Sequence, residues 1–472
     1  MDSQQTSLYY HAHPSARLLV LINICIGGFL APLSLSATLV AVPAMAQGLH
    51  ADAVLASWIP TAFLLSNLIM LLPAGRLSDS YGRKLLYILG TTVFLLSSIL
   101  AGFANSIEML LLMRVFQGIG AAMFFSTSMA IVGSVYNGHG RGAALGWMVA
   151  AVYTGLTCGP LVGGWLTEHY GWHSVFLFQA PLSLFTILLS LCCMKGEWRS
   201  PDPVKLDWRG TLLLAIWVLS LFYGLTNMPE FTAYGFLAIS LLFLLLFIRH
   251  SHVSSNPIIR LKLVWQNRLL SRSLISAIFM YSGNYGLVFL LGLYLQYNRG
   301  LSPLDAGQML MLQAIVMAIL APIAGRLSDR YPPWLLATSG CLIVGLGIFL
   351  LLFINQDRSM IFIGFALMLL GLGFGLFSTP NSNSIFGSAA EAKLGIVSAL
   401  LNLARMLGQM MGMAIITLLV SLFIGNAKIG PQQYEALFQV LRLTLGLSML
   451  FTLFAAFLSA SNKFPNPDHR SN

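Results

Sequence analysis

Polar and apolar residues do not alternate along this chain. Apolar positions run in uninterrupted blocks of about 18 residues or more, separated by short polar turns. A strand with one face in a core would alternate with period two, and an open sheet edge is not tolerated in lipid, so the blocks predict helices. A hydrocarbon layer of about 30 Å takes about 20 residues to cross at 1.5 Å each, which matches these blocks. The pattern predicts fourteen spans, near 17–43, 54–75, 84–104, 108–135, 143–167, 173–194, 210–227, 233–249, 270–296, 305–325, 334–354, 360–386, 394–425 and 436–461. An even number returns the chain to the side on which it began.

Composition turns the pattern into a fold class. Of 472 residues 57% are hydrophobic and 8% charged, against about 25% charged in a soluble globular chain. The expectation is an all-α integral membrane protein. Ala44–Ala46 reads Ala-Met-Ala and imitates a leader-peptidase site, but the apolar stretch before it, 18–42, is far longer than a leader's core, so the first span is expected to stay. Cys25, Cys158, Cys192, Cys193 and Cys341 all fall in apolar segments without metal or redox spacing and read as packing residues. No metal or cofactor is expected.

The net charge of +10 takes its meaning from its placement. With the N-terminus inside, Arg299, Arg358 and Lys428 fall outside, and Arg114, Arg405 and Arg442 fall within spans. The other 19 of the 25 Lys and Arg gather on the cytoplasmic side. That bias is the one membrane insertion produces. It predicts a multi-pass protein of the inner (plasma) membrane with both termini cytoplasmic and no nucleic-acid partner.

One polar hexapeptide, AGRLSD, occurs at 74–79 and again at 324–329. Each copy closes a span and enters a cytoplasmic turn, after span 2 and after span 10. A parallel duplication keeps membrane sidedness, and transporters built this way hold their site where the repeats meet. Two plain six-helix halves would put the second copy after span 8, so spans 7 and 8 read as an insertion. The expected domains are a six-helix bundle at 1–200, two extra spans at 201–260 and a second six-helix bundle at 261–472. In the first copy Gly75 permits close backbone approach, and Asp79 is placed to accept free helix N–H groups and to pair with Arg83. Gly325 and Asp329 persist in the second copy, but YGRK (Tyr81 to Lys84) has become YPPW (Tyr331 to Trp334) and the basic partners are lost. The first copy is expected to latch one conformation, the second to be partly eroded; a plain basic turn is the alternative.

These residues carry a family resemblance. PAGRLSDSYGRK (73–84) resembles the signature loop of the major facilitator superfamily, RVFQGIGAA (114–122) its fourth-helix motif and GLTCGPLVGG (155–164) its antiporter-associated fifth-helix motif. WHSVFLFQAP (172–181), LDWRG (206–210), YLQYNRGLSPLDAG (294–307) and SALLNLARMLGQMMG (398–412) are similar to the fourteen-span drug:proton antiporter branch. The resemblance implies the major facilitator fold, two six-helix bundles plus two extra helices, with alternating access and efflux of amphipathic small molecules against proton entry.

Several residues also speak without the family. Gly155, Gly159 and Gly163, with Gly164 beside them, make a smooth helix face, and Pro160 removes a helix hydrogen bond; packing and gating both remain open for this face. Gly371/Gly375 and Gly408/Gly412 repeat the four-residue spacing. Arg114, in a span, should face the protein interior, with Gln117 on the same side; a hydrogen-bonding role and a link to substrate or proton are both open. Asn402, Arg405 and Gln409 form a similar stripe, for cavity or for packing. Tyr281, Asn284 and Tyr285 are aromatic and polar candidates for the substrate path, with Trp58 and Tyr153 further aromatic candidates, or else lipid-facing and packing residues.

One departure bears on mechanism. The resemblance places an aspartate in span 1 ahead of a VALP-like ending; here the ending is VAVP (Val40 to Pro43) and the position holds Ser34. All fifteen acids fall in loops or at span rims. The remaining proton-carrier candidates are rim groups: Glu168, His169, His173, Asp305 and Asp52, which otherwise read as solvated loop residues. With Arg114 and Arg405 unmatched by intramembrane acids, a pathway favouring anionic, zwitterionic or neutral amphiphiles is expected. The chain reads as a proton-coupled exporter, or else as an uncoupled carrier of such amphiphiles or lipids. No phosphate-cradling Gly-rich loop and no catalytic constellation appears, so it is not read as an enzyme. A non-transporting scaffold or sensor has little loop surface to work with, and the protein is expected to be monomeric.

Overall fold

A computed structural model describes residues 9–10, 12–51, 53–136, 140–199, 206–226, 228, 230–254, 256–259, 261–301, 303–354, 359–389, 393–424 and 433–463. Helices follow in the order α1 Pro14–Gly48, α2 Ala53–Tyr81, α3 Arg83–Gly102, α4 Ile107–Val135, α5 Arg141–Tyr170, α6 His173–Leu177, α7 Gln179–Cys193, α8 Trp208–Thr226, α9 Phe231–Val253, α10 Leu261–Gln266, α11 Arg268–Tyr297, α12 Pro303–Arg330, α13 Pro333–Leu352, α14 Met360–Gly387, α15 Leu394–Phe423 and α16 Tyr434–Ala460. Among the described residues, 14 helical segments are long and apolar enough to cross a membrane, one for each predicted span.

Helix ends follow local chemistry. Ser106 caps α4 by accepting the Met109 amide at 3.2 Å, Asn267 caps α11 through Leu270 at 3.0 Å, and Ser359 caps α14 through Phe362 at 3.3 Å. The sixth span, His173–Cys193, carries a one-residue interruption at Phe178, between α6 and α7, where the backbone keeps helical angles. Pro181 has no N–H to give the carbonyl of Leu177, so one helix hydrogen bond is missing there.

The chain groups into two compact units. The first holds Met1–Thr211, Ser254–Ile259 and Ala389–Asn402; the second holds Leu212–Val253, Arg260–Ser388 and Leu403–Asn472. Within the first, α4 packs on α2 and α3, and α1 on α5; within the second, α14 packs on α12 and α13, and α11 on α16. The same close crossings recur in both. A Cβ on Gly120 would stand 2.6 Å from the Gly90 carbonyl oxygen, and Gly340 and Gly373 would collide with each other's carbonyls at 2.6 Å. Gly118 meets the Phe63 carbonyl at 2.4 Å and Gly371 that of Gln313 at 2.5 Å; Gly155 meets Phe29 at 2.5 Å and Gly408 meets Ile278 at 2.4 Å. Gly90 and Phe63 lie 250 positions before Gly340 and Gln313, the spacing of the AGRLSD copies, while Gly118, Gly120 and Gly155 lie 253 before theirs. Each unit therefore carries one copy of a single helix-crossing plan.

Candidate functional site

The 74–79 motif closes α2, and its acid is buried. The Asp79 carboxylate accepts the backbone N–H of Gly395 at 2.9 Å and of Ile396 at 3.0 Å, at the start of α15. Arg83, one turn on, donates to the same carboxylate from Nη2 at 2.9 Å and Nε at 3.3 Å, and its Nη1 donates to Ser134. The carboxylate thus meets both a cation and the positive end of a helix. Gly75 and Gly395 make this possible, since a Cβ on Gly75 would stand 2.6 Å from the Ala399 side chain and one on Gly395 2.6 Å from Asp79 Oδ1. In the second copy Ser328 donates to Gly325 and accepts from Asn383, while Asp329 is exposed.

Sequence reasoning missed a bracket beside this motif. Glu197, on the segment after α7, caps α3: its carboxylate accepts the amides of Lys84 at 2.8 Å and Leu85 at 3.1 Å, and the Arg83 amide donates to the Trp198 carbonyl at 3.0 Å. Trp198 is 1% exposed and stacks on Tyr10, whose hydroxyl accepts the Lys195 amide at 2.8 Å. Burial pushes the Tyr10 phenol up to about 12 and raises the Glu197 carboxyl above its ordinary value. A linker glutamate carries no periodicity; the available signal was Trp198, a large apolar side chain in the otherwise polar run 195–203.

Arg114 is fully buried in the first unit. It donates from Nη1 to Gln117 Oε1 at 2.8 Å and Ser34 Oγ at 3.3 Å, and from Nε to the Ile59 carbonyl at 3.1 Å. Gln117 in turn donates to Ser98 at 2.7 Å. The guanidinium lies over the rings of Phe63 at 4.5 Å and Phe176 at 5.9 Å. The structure therefore brings Ser34, Arg114 and Gln117 together, with Nη2 left without an acceptor.

In the second unit Tyr281 is buried and bonded to Ser378 Oγ at 3.1 Å, while Gln313 donates to Asn284 Oδ1 at 2.7 Å. Arg405 donates to Ser382 at 2.9 Å and lies 5.6 Å from the Tyr281 ring. Tyr285 is exposed. Asn402 is buried three residues before Arg405 on the same helix, α15. Ser378, Asn381, Ser382, Asn383 and Gln313, all buried, were not foreseen; the signal was the polar run STPNSNS (378–384) inside an apolar span.

The fifth-helix glycines pack rather than line open space. Gly155, Gly159 and Gly163 abut Phe29, Ser36 and Ala37 of α1, while Gly164 has looser contact with Val40 at 3.8 Å. Pro160 is exposed, and the Leu156 carbonyl it leaves free accepts from Ser36 Oγ at 2.9 Å. The rim groups are exposed and not gathered into a cluster: Glu168 is solvent-facing, His169 stacks on Trp165, His173 stacks on Trp172, and Asp305 sits in the first turn of α12. Asp52 lies outside the described residues.

Comparisons with known proteins bear on the family and the fold. The profile of the Major Facilitator Superfamily matches residues 24–413. The riboflavin transporter RibZ of Clostridioides difficile is 29% identical over 84% of this chain and 86% of that protein. The drug efflux pump JefA of Mycobacterium tuberculosis is 30% identical over 88% of this chain and 82% of its own length. Among solved structures, the human organic anion transporter MFSD10 superposes with a TM-score of 0.68 at 18% identity, covering 93% of this chain and 99% of that one.

Proposed function

This chain belongs to the major facilitator superfamily and is a transporter rather than an enzyme, and from that premise we propose that it exports amphipathic small molecules by alternating access, coupled to proton entry. The drug efflux pump and the tetracenomycin C resistance and export protein of Streptomyces glaucescens among its relatives support the substrate class. The observation that carries the mechanism is the grip of Asp79 on the first amides of α15. Charge-assisted bonds of this kind contribute about 1.5–3 kcal/mol each. They hold α15 in one placement only, so a cycle that moves α15 makes and breaks them, and substrate shifts the balance by binding the two states unequally. The two spans α8 and α9 enter this reading as an insertion between two six-helix bundles.

Purified protein in liposomes with an internal pH dye tests the proposal, using riboflavin, rhodamine 6G and 1-pyrenebutyrate as neutral, cationic and anionic probes. Flux of at least one probe with accompanying proton movement, slowed about tenfold in Asp79→Asn, is the expected result. No flux of any probe would overturn it. A second reading, an uncoupled carrier, is favoured by one observation: every Asp, Glu and His among the described residues lies at a helix end or in a loop. Flux without proton movement would select that reading.

A further inference from the structure

Arg114 raises a question of charge balance. Arginine keeps its proton in proteins, and one inside a bilayer is costly unless it is matched. Every partner of this guanidinium is neutral: a hydroxyl on Ser34, an amide on Gln117, the Ile59 carbonyl and two phenyl faces. Its Nη2 is buried and has no acceptor. The longest of its hydrogen bonds, 3.3 Å, runs to Ser34. A carboxylate at position 34 would sit against Nη1 as an internal counter-ion; a hydroxyl leaves the positive charge unneutralised. The repeat sharpens the contrast. Position 284, 250 residues after Ser34, is Asn284, bonded to Gln313, and position 367, 253 after Arg114, is Leu367. The second copy carries no charge at these two positions; the cation of the second unit, Arg405, stands elsewhere, on α15 beside Ser382 and the Tyr281 ring.

We infer that the transported molecules carry an anionic oxygen, such as a carboxylate, sulfonate or phenolate, which becomes the counter-ion of Arg114 in the state that admits them. The inference rests on the export reading and adds the charge of the cargo. Ser34 is then a specificity-determining residue: it leaves vacant the place of an internal acid, and the substrate fills the electrostatic role. Neutral amphiphiles still bind through apolar contact, more weakly. Cations meet an unscreened positive charge in a medium where few waters intervene.

The test compares 1-pyrenebutyrate with its neutral isostere 1-pyrenebutanamide at pH 7.5, read as tryptophan-to-pyrene energy transfer on the purified full-length protein. The ratio of the two affinities is the measurement. Wild type is expected to bind the carboxylate at least tenfold more tightly. Arg114→Gln and Ser34→Asp should each bring the ratio close to one, the first by removing the cation and the second by supplying an internal counter-ion. Melting temperatures are read alongside, and if Arg114→Gln does not fold, Ser34→Asp decides. A wild-type ratio near one, or a tenfold preference that survives in the variants, would overturn the inference while amide binding leaves the export reading standing. If neither probe binds, the export reading falls and this inference with it.

Discussion

At Gly82 two constraints meet on one residue. Its φ is +121°, and a Cβ there would stand 2.4 Å from the carboxyl carbon of Glu197. Any side chain both strains the backbone and displaces the cap of α3. Gly82→Ala should therefore destabilise the protein by about 1–3 kcal/mol, visible as a lowered melting temperature in detergent, whereas Gly300→Ala, also at positive φ but with open space around it, should lose less. Asp79 is the other residue with outsized consequences. Asp79→Asn keeps the shape but removes the charge that Arg83 and the α15 amides share. It should raise the reactivity of a cysteine placed at Ala399 toward a water-soluble maleimide, by exposing the start of α15 more often.

At the scale of elements, the Glu197 bracket gives a pH prediction with a definite sign. Burial raises this carboxyl above its ordinary value of 4.5, outweighing the three amides and Lys84 that favour the charged form. A raised folded-state value means the folded protein holds the proton more tightly than the unfolded chain does. Its contribution to stability is present below about 4.5 and is lost as pH rises through the folded value. Melting temperatures across that window should fall with pH in wild type and show a flatter profile in Glu197→Gln. The bracket also shows what sequence leaves hidden. The spans are legible because a bilayer demands long apolar runs. The 74–79 motif is legible because a polar hexapeptide that recurs at two span ends on one side of the membrane marks a duplication. The buried company of Ser34, Arg114 and Gln117 was half legible: spacing placed Gln117, while the approach of Ser34 depends on packing. Glu197 and the polar stretch 378–384 are tertiary facts, made by contacts between segments far apart in sequence. The one-residue interruption at Phe178 within the sixth span leaves no mark in hydropathy, which does not register an absent N–H.

For the whole molecule, the basic residues predict orientation. With 19 Lys and Arg assigned inside and three outside, a fluorescent protein fused at the C-terminus should fold and fluoresce in the cytoplasm, and alkaline phosphatase inserted after Arg299 should be active only beyond the membrane. The reverse pattern would invert the topology. The recurrence of the glycine crossings in both units, with 250- and 253-residue spacing, indicates that the duplication preserved backbone geometry where it let polar chemistry diverge.

Those crossings have a mechanical consequence. Where two backbones touch through glycine, no layer of side chains is left to shear, so α3 with α4 and α13 with α14 behave as stiff pairs. Compliance is left to places where a helix lacks one of its own hydrogen bonds. Pro160 and Pro380 are such places, at the free carbonyls of Leu156 and Leu376. The first is already braced by the Ser36 hydroxyl, so of these two Pro380 is the softer joint. Pro380→Ala should stiffen it, slowing turnover while substrate affinity stays within about twofold, since what changes is the ease of bending and not the surface that binds.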